Sequence, residues 1–190
     1  MEAKKHTTMA IYKIDVDHSD IMFKVKHLMI ATATGIFKKF DATLDVNEED
    51  LSDAKVEFEA DVDSIDTKNE QRDAHLKSDD FFNAAQFPKL TFKSTSIESE
   101  GGNEYTLKGD LTVRDITKPV SLKVEYNGQI TDPWGMERMG FEVSGKINRK
   151  EFGLKWSAVT EAGGIVVADD VKLAMNVEMV KQPVEEAVGV

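Results

Sequence analysis

Apolar and polar residues alternate with a period of two along most of this chain, and no other feature limits its fold so strongly. Successive side chains of a strand point to opposite faces, so this alternation builds a sheet with one apolar and one wet side. Ile21, Phe23, Val25 and His27 alternate with Met22, Lys24 and Lys26. Ile36 to Val46 reads as one strand, with Phe40, Ala42, Leu44 and Val46 opposite Asp41, Thr43 and Asp45. Val56, Phe58, Ala60 and Val62 repeat the pattern against Lys55, Glu57, Glu59 and Asp61. It returns at Leu90, Phe92 and Ser94, then over Tyr105 to Val113, Val120 to Tyr126, Met139 to Ile147 and Val171 to Met179. Turn-forming residues fall between these runs, at Asp15 to Ser19, Glu48 to Asp53, Gly101 to Asn103, Asp115 to Pro119, Asp132 to Gly135 and Gly163-Gly164. Leu28 to Thr34 fits a short apolar helix or an irregular crossing, and Asn148 to Thr160 reads as a loop.

About eight long strands, antiparallel where connections are short, must close on themselves to bury one face and hide their edges. An all-β, up-and-down antiparallel barrel is the expectation. Eight strands enclose either packed side chains or one small ligand. Ala42, Ala60, Ser94, Gly109 and Gly145 fall on the inward register and leave room inside, although Gly109 and Gly145 also read as bending points of curved strands. At 190 residues the chain forms one domain. Its expected parts are a flexible lead-in over 1–10, the barrel over 11–180 and a flexible tail over 181–190.

The stretch from Val62 to Ser94 departs from the alternation. Thr67 and Glu70 have the spacing of a capping box, from which a short helix runs to about Lys77. Its apolar content is only Ala74 and Leu76, too little for a core helix. Phe81, Phe82 and Phe87 follow, and Pro88 returns the chain to extended geometry. A polar helix ending in three phenylalanines suits a flap over something apolar.

Composition removes several functions. A net charge of −11 opposes nucleic acid and anionic membranes. The absence of cysteine excludes disulfide and thiol chemistry. No apolar run reaches the length of a membrane helix, and charge-rich outer registers with a polar flap oppose an outer-membrane barrel. The first residues lack the apolar run of a signal peptide, so the chain reads as cytoplasmic as given, or periplasmic or extracellular if a leader has been removed. No GxSxG, GxGxxG, P-loop or HExxH pattern occurs. His6 lies in the lead-in, and His18, His27 and His75 lack zinc-site spacing, so no metal site and no catalytic residue is expected. His27 reads as a buried, hydrogen-bonded imidazole and His18 as a turn residue. The enzymatic alternative is a barrel hydrolase or isomerase using His27 or His75 as base, with no nucleophile at recognisable spacing.

The ordered motifs resemble the YceI-like family of bacterial lipid-binding proteins. They are His18-Ser19 leading into Phe23-x-Val25-x-His27, then Gly35-x-Phe37 with Phe40, and Ser64-Ile65-Asp66-Thr67 with Arg72-Asp73-x-His75-Leu76. Asp80-Phe81-Phe82, Phe87-Pro88-x-Leu90-x-Phe92, Gly109-Asp110-Leu111-Thr112, Thr117-Lys118-Pro119-Val120 and Asn148-Arg149-x-x-Phe152-Gly153 complete them. The resemblance implies a lipocalin-like barrel with a helical cap and an elongated apolar pocket. Its guest would be a long-chain amphiphile of the polyisoprenoid type, such as an isoprenoid quinone or its precursor, with no other cofactor. Many relatives are exported, whereas this chain shows no leader run.

A pocket of that kind needs aliphatic and aromatic walls. The candidates are Phe23, Val25, His27, Phe37, Phe40, Phe58, Leu76, Phe92, Leu107, Leu111, Val124, Phe141, Val143 and Trp156, with Phe81 and Phe82 closing one side. Taken singly, each also reads as ordinary core. Arg72, His75 and Arg149 are headgroup candidates, with Arg114 and Arg138 behind them. For each of them a solvated or ion-paired role is the plainer reading. A homodimer would suit a barrel with an exposed edge.

Overall fold

The computed structural model of the chain describes residues 9–47 and 50–183. Its strands are β1 (Met9–Ile14), β2 (Asp20–His27), β3 (Ala31–Phe37), β4 (Phe40–Asn47), β5 (Asp50–Asp61) and β6 (Ile65–Asp66). After the helix α1 (Glu70–Lys77) come β7 (Lys89–Gly101), β8 (Glu104–Val113), β9 (Ile116–Thr131), β10 (Glu137–Asn148) and β11 (Val167–Lys181). All pairings between these strands are antiparallel.

β1 and β2 lie end to end along β11, with Ile14 opposite Met179 and Asp20 opposite Asn176. β3 and β4 likewise run end to end against β2 and β1. Counted as two interrupted strands, they join β5 and β7 to β11 in an eight-stranded up-and-down barrel closed by β1 on β11. Two serines bridge the interruptions. Ser19 Oγ accepts from Glu178 N at 2.9 Å where β11 changes partner. Ser64 Oγ accepts from Lys39 N at 3.0 Å at the break between β3 and β4. Both serines are buried, and each satisfies an amide that would otherwise be orphaned. The single strand expected over 36–46 is therefore two.

The alternation holds through the ladders. Ala42, Leu44, Ala60, Leu90, Phe92, Leu107, Leu111, Leu122 and Val124 are buried inside. Outside, cross-strand pairs such as Lys93 with Glu57 at 2.9 Å and Lys146 with Asp170 at 2.9 Å face water. One end of the barrel is plugged by Tyr12, Val46, Leu51, Met139 and Met179. The other end carries the β2–β3 hairpin, the segment 62–88 and the long β10–β11 connection.

Several local expectations differ. Residues 28–30 form a turn and β3 follows, so no helix forms there. Asp50 to Asp53 lie in β5, while residues 48 and 49 are outside the described residues. The chain turns at Arg114-Asp115 alone, and Pro119 pairs with Asp110 inside the β8–β9 ladder. Met9 and Ala10 belong to β1 and Lys181 to β11, Gln182 N donates to Ile11 O at 2.7 Å, and residues 1–8 and 184–190 of the expected lead-in and tail lie outside the described residues.

Candidate functional site

The barrel encloses an apolar cavity of about 640 Å³. Interiors pack at crystal density with few voids larger than a water molecule, so a continuous space of this size is not a packing defect. Three glycines and small residues make the room. Phe23 faces Gly35 across the β2–β3 ladder, and a Cβ at 35 would fall within its ring. The Phe92 ring covers Gly109 in the same way, and Leu122 Cδ2 would lie 2.6 Å from a Cβ at Gly145. The two expected bending glycines thus let large neighbours lie flat against the wall.

Phe23, Val25, Phe37, Phe58, Phe92, Leu107, Leu111, Val124, Phe141 and Val143 all line the cavity, as do Leu76, Phe81, Phe82 and Trp156. Phe40 does not. Placed just after the Lys38-Lys39 break, it packs half-buried against the core beside the cavity. Residues not singled out from the sequence complete the wall, among them Val171, Leu173, Met175 and Val177 of β11. They stood on the same inward register as the chosen residues, and a choice weighted toward aromatics passed over them. From Val171 to Met179 the lining follows β11 for roughly 26 Å of extended strand.

The flap is α1 and the turns after it. Asn69, not Thr67, caps α1, its Oδ1 accepting from Arg72 N at 2.9 Å. Thr67 is held elsewhere, because its hydroxyl bonds the Asp73 carboxylate and accepts from Arg72 Nε at 2.7 Å. Arg72 also donates to Thr67 O at 2.6 Å, so its guanidinium ties the helix to the residue that follows β6. Beyond α1, Phe81 is buried and Phe82 meets Phe37 edge-on at 6.2 Å. Arg114 fastens this stretch from the β8–β9 turn, donating to Phe81 O at 3.0 Å and pairing with Asp79 at 3.3 Å. The same guanidinium sits 5.6 Å over the Phe87 ring, and Phe87 does not line the cavity.

Among the described residues, polar side chains reach the cavity at one end only. They are Lys26 and His27 of β2, Thr67, Asn69, Gln71, Arg72 and His75 of the flap, and Arg149. His27 is exposed at the rim instead of buried, because it is the last residue of β2. His75 is half-buried, with its ring 5.0 Å from both Phe81 and Trp156 and Nε2 2.9 Å from Asp80 Oδ2. Asn69 and Gln71 escaped sequence reasoning because nothing in a polar helix marks which face meets a cavity.

Arg149 is a structural anchor. It is 3% exposed and donates to Leu154 O at 2.6 Å, Trp156 O at 2.8 Å, Ala168 O at 2.9 Å and Val167 O at 3.3 Å. Burial pushes its pKa down while nearby Asp169, 3.5 Å away, pulls it up. With its donors on carbonyls, it holds the β10–β11 connection and leaves little for a headgroup. Arg138 lies at the plugged end, bonded to Asp15 at 2.8 Å, Asp132 at 2.6 Å and Glu178. His18 fulfils its turn role there, with Nδ1 3.0 Å from Asp15 Oδ2. Asp15, His18 and Glu178 lie close enough to share an ion, but Arg138 already bonds both carboxylates.

Comparison with known proteins agrees with this geometry. Residues 12–179 match the YceI-like domain. Protein YceI of Salmonella newport is 41% identical over 175 residues, which cover 91% of this chain and 88% of the relative. The crystal structure of Campylobacter jejuni YCEI protein superposes with a TM-score of 0.73 at 31% identity, covering 83% of this chain and 90% of that one. A polyisoprenoid binding domain from Saccharophagus degradans shares the fold at a TM-score of 0.63 and 13% identity, covering 92% of this chain and all of that domain.

Proposed function

The chain belongs to the YceI-like family, and from that premise we propose that it carries or sequesters a long-chain isoprenoid-type lipid, such as an isoprenoid quinone or its precursor, without chemistry. One observation carries the reading: the cavity is apolar along its length, and its polar lining is gathered at one end. That arrangement suits an amphiphile whose tail lies along β11 and whose headgroup stops among Gln71, Asn69, His75 and His27. A tail burying roughly 400 Å² gains about 10 kcal/mol, enough to exceed the lower estimates of association cost. The polyisoprenoid binding of the Saccharophagus domain supports the same guest class.

The enzymatic alternative has less support. His27 is exposed, and His75, though paired with Asp80, packs against two apolar rings. The hydroxyl of Thr67 is held by Asp73 and Arg72 and does not offer a free nucleophile.

Titration with an isoprenoid quinone tests the proposal. In a Trp134→Phe background Trp156 reports alone, and it lies at the mouth beside His75 and Phe81. Saturable, one-to-one quenching of Trp156 is expected. Linear, non-saturating quenching would remove the proposal.

A further inference from the structure

Two loops beside the cavity mouth turn large aliphatic side chains toward solvent. The first is the β2–β3 hairpin, closed by Ile30 N donating to His27 O at 3.2 Å, with Leu28 and Met29 at φ of +51° and +59°. Two central residues of positive φ make the turn that twisted hairpins favour, and Asn-Gly is its usual filling. Here Leu28 and Met29 occupy it despite the cost of a β-carbon there, and Ile30 follows. Ile30 is 86% exposed and Met29 60%.

The second loop folds back through the pairing of Val159 with Ile165 and the bond from Val166 N to Ala158 O at 3.1 Å. It exposes Val159 and Ile165. The loops are joined, because Leu28 N donates to Val166 O at 2.9 Å. His27, Val166 and Val167 line the cavity, so this apolar rim is continuous with its wall.

The two loops also carry little charge. Across segments 26–32 and 155–166 a single carboxylate, Glu161, stands against Lys26 and Lys155, in a chain with 35 aspartates and glutamates. These two loops are thus nearly neutral in an otherwise acidic protein. A mouth held in water would force an apolar chain across solvent, exposing the surface that the cavity buries.

We propose that the rim seats the cavity mouth on a zwitterionic lipid bilayer, with Leu28, Met29, Ile30, Val159 and Ile165 entering the interface, so that the guest passes between bilayer and cavity without crossing water. The proposal rests on the lipid-carrier reading, and the two are tested apart.

Flotation of the full chain with phosphatidylcholine vesicles reads docking, and quinone binding after dilution from detergent reads the cavity. L28N/M29G places the favoured residues in the turn, so it should fold at least as well as the parent. Its vesicle partitioning should nevertheless fall by roughly tenfold, as should its rate of quinone uptake from vesicles, with binding from detergent unchanged. Docking is overturned if the parent stays in the aqueous fraction or the variant floats equally well. It is also overturned if sedimentation velocity shows the rim closed by a second copy, as a dimer that L28N/M29G abolishes. A parent that floats yet binds no quinone from detergent would instead remove the carrier reading.

Discussion

Phe23 stands directly opposite Gly35 in the β2–β3 ladder, and its ring fills the space that a side chain at 35 would need. Phe23 lines the cavity and packs 5.7 Å from Phe37, which lines it too, so the position of its ring bears on the space left inside. Gly35→Ala should push the ring inward. Overpacking of this kind costs about 1–3 kcal/mol, and quinone affinity should fall with it. Equal affinity in the folded variant would show that the ring has another way to turn.

Filling the cavity directly separates capacity from stability. Phe58 faces Phe92 across β5 and β7 and lines the wall where Ala42 leaves space beside it. Phe58→Trp should weaken lipid binding by at least roughly tenfold while stability changes by no more than about 1–3 kcal/mol. Chemical denaturation and lipid counting by mass spectrometry give the two readouts. Undiminished binding would move the guest away from this wall.

Arg149 should behave as a fastener. Arg149→Met leaves the carbonyls of Leu154, Trp156, Val167 and Ala168 without their donor and should cost roughly 3 kcal/mol or more. Arg149→Lys should recover little, because one ammonium cannot span carbonyls served by a planar fork. A melting temperature within a degree of the parent for Arg149→Met would contradict the role.

Acid should loosen the plugged end. The Arg138 guanidinium, foremost, holds the Asp15 carboxyl down from 3.8 to about 2. A depressed carboxyl contributes stability above its unfolded pKa, and loses it as pH falls through the folded value. Asp15→Asn should therefore cost about 1–2 kcal/mol at pH 6 and almost nothing near pH 2. Urea titrations at both pH values measure that difference, and a cost independent of pH would exclude the linkage. Asp15 also raises the pKa of His18, so that partner's smaller contribution is present below pH 6.5 and fades as pH rises through its folded value.

Much of the barrel was legible because burial on one face leaves a period of two that no other structure imitates. The inward registers of Phe58, Leu111 and Val143 needed nothing more. What escaped depends on contacts distant in sequence. Thr67 has capping-box spacing, yet Asp73 and Arg72 take its hydroxyl and Asn69 caps instead. Leu28-Met29 carries no turn chemistry, so a hairpin was invisible there. Phe40 shares a register with Ala42 but follows the break stitched by Ser64, which shifts it off the cavity. His27 continues an apolar face to the point where the barrel opens, so alternation suggested burial where the fold supplies a rim.

A hollow apolar interior occupied by a chain-like guest underlies all of these expectations. Native mass spectrometry of protein purified without detergent, followed by organic extraction of the same sample, tests it most directly. The expected result is an adduct of one lipid per chain, released on extraction as a polyisoprenoid compound and diminished in Phe58→Trp. A bare polypeptide mass that accepts no added isoprenoid quinone would contradict it.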